Sequence, residues 1–373
     1  MNNEKIKLLF SKGVIEYDFG IGHPFRGSRY KIFFKFLEEK LKEKVDYEIL
    51  NAEPVSEEDL LLVCSQEYIE YVKNFYELAH KGEINSFVAL SGGFLSIDNI
   101  PGENPGNIEN SARFILGQMK KACDLVQESK LKKAISIGGG LHHAKPSFGE
   151  GFCIYNDIAF GAKYLIEKYS LKRILILDTD AHAGNGTMEY FYHDPRVLFI
   201  DIHQDPKTIY PGTGFLWQIG EGDGKGFTIN CPLLLGASWD SYQYVFENIV
   251  FPIAEEFKPE IIIRYGGTDP YWNDSLTYLG LTIADFRKIG QYTSKLGDIC
   301  DGKVIDAIAS GYNEKAIGPG WLSLICGLHG IDIEIEEPEP IPENFKQDPA
   351  YEATKTMVRE LKEHLKEYWT SMK

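Results

Sequence analysis

Four short clusters in this chain carry side chains that bind metals or move protons, and each follows an apolar run. The first is Gly138-Gly139-Gly140-Leu141-His142-His143, after Lys133–Ile137. Glycines let a backbone turn tightly and approach a ligand closely. The second is Asp178-Thr179-Asp180-Ala181-His182-Ala183-Gly184-Asn185, closing Arg173–Asp178. In extended chain, alternate residues face one way, so Asp178, Asp180 and His182 share a side. The third is Gly266-Gly267-Thr268-Asp269-Pro270, and the fourth is Ser310-Gly311-Tyr312-Asn313. Taken singly, each has a plain structural reading, such as an Asp-rich helix cap or a turn before proline. Taken together, Asp180, His182 and Asp269 offer oxygen and nitrogen donors and leave coordination positions open. That is the composition of a catalytic metal site rather than a closed structural one. A bound metal acidifies water and polarises a carbonyl. A histidine can carry the water's proton to a leaving amine, and a tyrosine can donate to the developing oxyanion. The chemistry this implies is metal-assisted hydrolysis of an amide-like bond.

Such clusters need strands that end where they begin. Strand candidates are Lys7–Phe10, Leu60–Cys64, Lys133–Ile137, Arg173–Asp178, Val197–Ile202, Phe227–Asn230, Glu260–Tyr265 and Val304–Ala309. The run Arg173-Ile-Leu-Ile-Leu-Asp178 is apolar at every position between its ends, as in a parallel strand buried on both faces. Helix candidates are Arg29–Glu43, Ser65–Lys81, Asn110–Glu128, Asp157–Tyr169, Ser238–Glu256 and Ile283–Ile299. Alternation of the two predicts one doubly wound α/β domain, with ligands outside the carboxyl ends of its strands. Ser91–Gly106 reads as a long surface loop and Glu334–Pro349 as an extended connection. Tyr351–Lys373 is charged and helix-periodic, and reads as a helix packed on the surface.

The chain has 373 residues and a net charge of −16. An acidic surface repels phosphate backbones and anionic membranes, so nucleic acid is not an expected partner. The same charge favours cationic substrates. No run of 18 or more apolar residues suggests a membrane span, roughly 20 being needed, and the start Met1-Asn2-Asn3-Glu4-Lys5 is too polar for a secretory signal. The six cysteines are scattered without a C-x-x-C pair. They read as reduced thiols in a cytoplasmic protein.

Longer stretches resemble the histone deacetylase family, most of all its prokaryotic acetoin-utilization branch. They are Tyr17-Asp-Phe-Gly-Ile-Gly-His23-Pro24, Gly139-Gly140-Leu141-His142-His143-Ala144, Gly151-Phe152-Cys153-Ile154-Tyr155-Asn156-Asp157 and Asp178 through Thr187. Asp194-Pro195-Arg196-Val197, Tyr210-Pro-Gly-Thr-Gly214, Gly311-Tyr312-Asn313, Trp321 and Tyr351-Glu352 continue it in order. The resemblance implies a single α/β domain with an eight-stranded parallel sheet flanked by helices, the arginase/deacetylase fold. Residues 1–330 would form the catalytic domain, and 331–373 an extension with a helix on the same domain. Asp180, His182 and Asp269 match the positions that bind catalytic zinc, with iron(II) the other candidate. His142 and His143 match the paired histidines, His143 as general base and acid. Tyr312 matches the tyrosine that polarises the acyl carbonyl. Phe152 and Tyr210 match the walls of the acyl-lysine channel, Gly151 a backbone position beside it, Leu276 its rim, and Asp98 a loop aspartate that grips substrate backbone. Asp178 matches the carboxylate behind His142, and would help hold a structural potassium ion with carbonyls near Asp180, His182 and Ile202. The implied substrate is an acetylated lysine side chain or a small N-acetylated amine.

Several positions depart from that pattern. Ala183 replaces a second histidine, and Asn185 stands where some members carry Asp behind His143. A neutral partner there leaves His143 less basic, which suits a proton acceptor near neutrality. Asp201 stands where a serine serves the potassium site. Pro270 follows Asp269, and Ser310 replaces a glycine. An arginase-like hydrolase with two manganese ions needs a carboxylate where Gly184 stands. A non-catalytic acyl-lysine binder would lack one of the ligands or the tyrosine. An acetylpolyamine amidohydrolase would use the same groups on a smaller cation, and charge does not separate it from a lysine deacetylase.

Overall fold

The computed structural model describes residues 5–42, 44–83, 93–345 and 347–373. Outside them lie the leading Met1–Glu4, Glu43 at the end of the first expected helix, residues 84–92, which include Ser91-Gly92 of the expected loop, and Lys346 of the extended connection.

Eight strands build one sheet: β1 (Ile6–Leu9), β2 (Tyr47–Leu50), β3 (Lys133–Ile137), β4 (Ile174–Asp178), β5 (Val197–Gln204), β6 (Thr228–Leu233), β7 (Ile261–Tyr265) and β8 (Val304–Ile308). Their order across the sheet is β2-β1-β3-β8-β7-β4-β5-β6, and every pairing is parallel. β4, β5, β7 and β8 are buried at every position. Alternate residues point to opposite faces, and all are buried, the polar Asp201, Arg264 and Asp306 included, so both faces are covered. Six of the helices form two packed groups. Ser28–Leu41, Ile283–Gly297 and Glu314–His329 pack on one another, as do Gln66–His80, Ile108–Gln127 and Asp157–Tyr169. Members of each group lie against β7 or β8, so the groups cover opposite faces.

Local chemistry starts these helices. The Asn156 side chain accepts from the Ala159 amide at 2.8 Å and opens Asp157–Tyr169. Thr282 and Asp285 form a reciprocal capping box before Ile283–Gly297, satisfying donors that a first turn leaves unpaired. Two sequence expectations are corrected. Leu60–Cys64 is not a strand; it begins on the last residue of a helical turn, Glu57–Leu60, opened by a Ser56/Asp59 capping box. Burial of Leu60, Val63 and Cys64 with Leu61 half-exposed follows helical rather than alternating spacing. The edge strand is β2 instead, whose Tyr-Glu-Ile-Leu is nowhere fully buried and so carries no apolar run. Ser238–Glu256 is not one regular helix. A π-turn at Phe246–Val250 divides it just before Pro252, which has no amide hydrogen to give the helix ladder. Glu314–His329 is a helix that Gly318-Pro319-Gly320 disguise as a break.

Past β8 the chain returns along the β6 edge. Asp348 accepts from the amides of Ser238 and Ser241 at 3.0 and 2.8 Å. Tyr351–Leu365 packs on β6, and the Trp369 indole donates to the Gly226 carbonyl at 2.7 Å. The six cysteines are buried free thiols. No helix among the described residues is long and apolar enough to cross a membrane.

Candidate metal and proton-transfer site

The four chemical clusters follow β3, β4, β7 and β8. Those strands are far apart in sequence but are consecutive in the sheet, as β3-β8-β7-β4. Neighbouring strands lie about 4.8 Å apart, so four adjacent carboxyl ends bring their loops within side-chain reach. The register holds the ends level, pairing Ile137 with Ile308 and Asp178 with Tyr265.

Asp180, His182 and Asp269 converge there. His182 Nδ1 is 3.1 Å from Asp180 Oδ1 and 3.1 Å from Asp269 Oδ2, and one donor atom from each of the three lies within 4.8 Å of the others. The carboxylates are buried, at 2% and 0% exposure. Their other contacts hold them in place. Tyr265 donates its hydroxyl to Asp180 Oδ2 at 2.9 Å, and Ser310 donates to Asp269 Oδ1 at 2.8 Å. Burial and the neighbouring Asp180 charge push Asp269 well above the ordinary carboxylate range. Two buried carboxylates that repel each other call for a cation between them. With an imidazole nitrogen as third donor, the set fits a divalent transition metal with open positions.

The paired histidines meet at their tips. His142 Nδ1 lies 2.8 Å from Asp178 Oδ2, and its Nε2 lies 3.0 Å from His143 Nε2. His143 Nδ1 lies 2.7 Å from Asn185 Oδ1. Both Nδ1 atoms face oxygens that accept, so each carries a hydrogen. One further hydrogen sits between the two Nε2 atoms. Burial opposes charge on His142, but Asp178 and Asp180 outweigh it and lift the group to about 9. His143 goes the other way: burial, with the His142 and His182 charges, holds it well below the ordinary histidine value. These shifts favour charge on His142 over His143, whose lone pair falls on Nε2 while Nδ1 faces Asn185 Oδ1.

His142, His143, Asp180, His182, Gly151 and Tyr312 line one small cavity. Burial keeps the Tyr312 hydroxyl protonated far above its usual range, as a donor must be. The Phe152 ring lies 6.1 Å from the Tyr312 ring, and the Tyr210 ring 5.0 Å from the His143 ring. Gly151 has φ +60°, and a Cβ there would come within 2.2 Å of the His143 ring. Its amide donates to Asp98 Oδ2 at 2.7 Å, so Asp98 sits beside the same turn. Leu276 is not among the cavity residues. It joins the site through Asp274, which accepts from the amides of Leu276 and Tyr312 at 2.9 and 2.7 Å. Asp178 and Asp201 pair across β4 and β5. Asp201 accepts from the Gly184 amide at 2.8 Å and lies 2.8 Å from His203 Nδ1.

Sequence reasoning passed over Tyr265, Asp274 and Glu150. Tyr265 closes β7 in register with Asp178, so the rule that ligands gather at strand ends points to it. Asp274 and Glu150 lie in loops, where spacing carries no such signal.

A histone deacetylase domain model matches residues 23–328. The acetoin utilization protein AcuC of Staphylococcus aureus (strain MRSA252) is 34% identical over 332 residues, covering 87% of this chain and 82% of that protein. A probable deacetylase of Archaeoglobus fulgidus is 33% identical over 375 residues, covering 98% and 99%. Among solved structures, the HDA15 HD domain superposes with a TM-score of 0.82 at 24% identity, over 99% of this chain and 97% of that one. Its likeness speaks to the fold, while the domain match and the two relatives place the sequence. On those grounds this chain belongs to the histone deacetylase family.

Proposed function

We propose that this chain is a zinc-dependent deacetylase that hydrolyses the amide of N-acetyl-lysine, or of a related N-acetyl amine, to acetate and free amine. The observation that carries this reading is the convergence of the Asp180, His182 and Asp269 donors beside a neutral histidine and a protonated tyrosine on one cavity. A divalent cation held by those three residues would polarise the acyl carbonyl and acidify a water molecule. Iron(II) satisfies the same donors. His143 Nε2 takes the water's proton as the water oxygen adds to the acyl carbon, and returns that proton to the nitrogen as the C–N bond breaks. His142, held as an imidazolium by Asp178, keeps His143 neutral before the proton moves. The Tyr312 hydroxyl donates to the carbonyl oxygen as negative charge builds on it. Phe152 and Tyr210 flank the aliphatic stem of the substrate.

In the same reading, Asp178 and Asp201 help hold a monovalent cation, Asp98 and Leu276 serve the rim, and residues 331–373 extend a catalytic domain that spans 1–330. The protein acts in the cytoplasm.

The test is zinc- or iron(II)-loaded protein against acetyl-lysine peptides, acetylpolyamines and small acetamides. Tyr312→Phe is expected to lower turnover at least tenfold, about 1.4 kcal/mol in the barrier, with bound metal unchanged. Equal turnover in that variant would remove Tyr312 from the mechanism. No turnover of any substrate by the parent would favour a non-catalytic binder, and preference for acetylpolyamines would move the substrate to that class.

A further inference from the structure

The hydrogen bonds behind His143 run one residue beyond Asn185. Asn185 takes His143 Nδ1 on its Oδ1 at 2.7 Å and gives its Nδ2 to Glu150 Oε1 at 2.8 Å. Lys145 Nζ lies 2.9 Å from the same Glu150 oxygen, and the Glu150 side chain is 14% exposed. The Tyr210 hydroxyl lies against this carboxylate as well. Glu150 thus joins the turn that carries Gly151 and Phe152 to the histidine's partner.

An asparagine amide has a donor end and an acceptor end of nearly the same shape, so shape does not decide which end meets His143. A carboxylate paired with a lysine ammonium presents acceptors only. Facing it, Asn185 must turn its NH2 toward Glu150 and its oxygen toward His143. That oxygen in turn requires a hydrogen on Nδ1. The His143 lone pair is left on Nε2, the atom 3.0 Å from His142 Nε2. With the amide reversed, its NH2 would meet Nδ1, and the neutral ring would carry its hydrogen on Nε2. A ring in that form has no lone pair on Nε2. Here we propose that Glu150 is a positioning residue: it locks the Asn185 amide in one orientation and so sets the His143 tautomer able to accept a proton.

This rests on the reading of His143 as proton acceptor, so the test pairs a structural readout with a kinetic one. Full-length, zinc-loaded protein is labelled with 15N-histidine, and two-bond N–H correlations report which ring nitrogen bears hydrogen. The parent is expected to show His143 as Nδ1–H. Glu150→Ala is expected to convert it wholly or partly to Nε2–H. The double variant Asn185→Asp/Glu150→Ala should return Nδ1–H, because an aspartate has no donor end to misplace. In turnover, Glu150→Ala should lower kcat about tenfold with KM changed less than about twofold. In an Asn185→Ala background the same change should have no further effect. An unaltered tautomer in Glu150→Ala overturns the proposal. So does a change in KM alone, which would place the effect at Tyr210 and the channel wall. If the parent turned nothing over, the deacetylase reading would fall, and the ring spectra would still decide the role of Glu150.

Discussion

Tyr265 shows how one side chain can serve metal and fold together. Its hydroxyl holds Asp180 Oδ2 at 2.9 Å, and its ring fills the space beside Gly140. That glycine has φ +74°, and a Cβ on it would come within 1.6 Å of the Tyr265 ring. Groups that orient metal ligands commonly account for 10- to 100-fold in metal affinity. Tyr265→Phe keeps the ring and removes the hydroxyl. It is therefore expected to weaken zinc binding by roughly tenfold or more, measured by competition with a chromogenic chelator, with a melting temperature close to the parent's. Unchanged affinity would mean that Asp180 needs no such support. At this scale the donors Asp180, His182 and Asp269 were legible, because residue type and position after a strand mark them. Tyr265 was not, because a tyrosine at the end of an apolar strand looks like any other core aromatic.

Strands β7 and β8 carry the loops of Asp269 and Tyr312, and a buried ion pair ties them together. Arg264 and Asp306 stand opposite each other in register, are 1% and 0% exposed, and meet through Arg264 Nη2 and Asp306 Oδ1. Arg264 Nη1 also donates to the Gly266 carbonyl at 3.1 Å, just where the loop of Asp269 begins. Breaking a buried pair leaves one charge uncompensated and costs about 3–5 kcal/mol, whereas replacing both partners by apolar residues is often close to neutral. Arg264→Met is expected to lower unfolding stability by that amount, and Arg264→Met/Asp306→Leu to recover most of it, as read from urea melts. A double variant as unstable as the single would show that Arg264 acts through Gly266 rather than Asp306. The central strands were legible as elements because their runs are mostly apolar, Arg264 and Asp306 being the exceptions in β7 and β8. The edge strand β2 was not, because an edge can be half-exposed and needs no apolar run.

For the molecule as a whole, stability against acid has a component far from the site. His329 ends the helix Glu314–His329, and its Nε2 has no hydrogen-bond partner among the described residues. Burial, aided by the Lys133 charge, holds it down to about 4, against about 6.5 in an unfolded chain. Between those values the unfolded chain binds the proton and the folded chain does not, so stability rises with pH. The contribution is complete above about pH 6.5 and is lost as pH falls toward about 4, roughly 3 kcal/mol in all. His329→Gln should flatten the decline in urea midpoint over that window relative to the parent; parallel curves would contradict it. By itself the sequence determined which residues could do chemistry, and that each cluster would close a strand of an α/β sheet. Residue type and local periodicity are properties of neighbours along the chain, and they can be read there. Only the tertiary structure decided that β3, β8, β7 and β4 are neighbours, because strand order follows from how helices cross over and cover both faces. The same crossovers set Glu150 behind Asn185 and Tyr265 against Asp180. Those contacts join residues distant in the chain, and no local pattern encodes them.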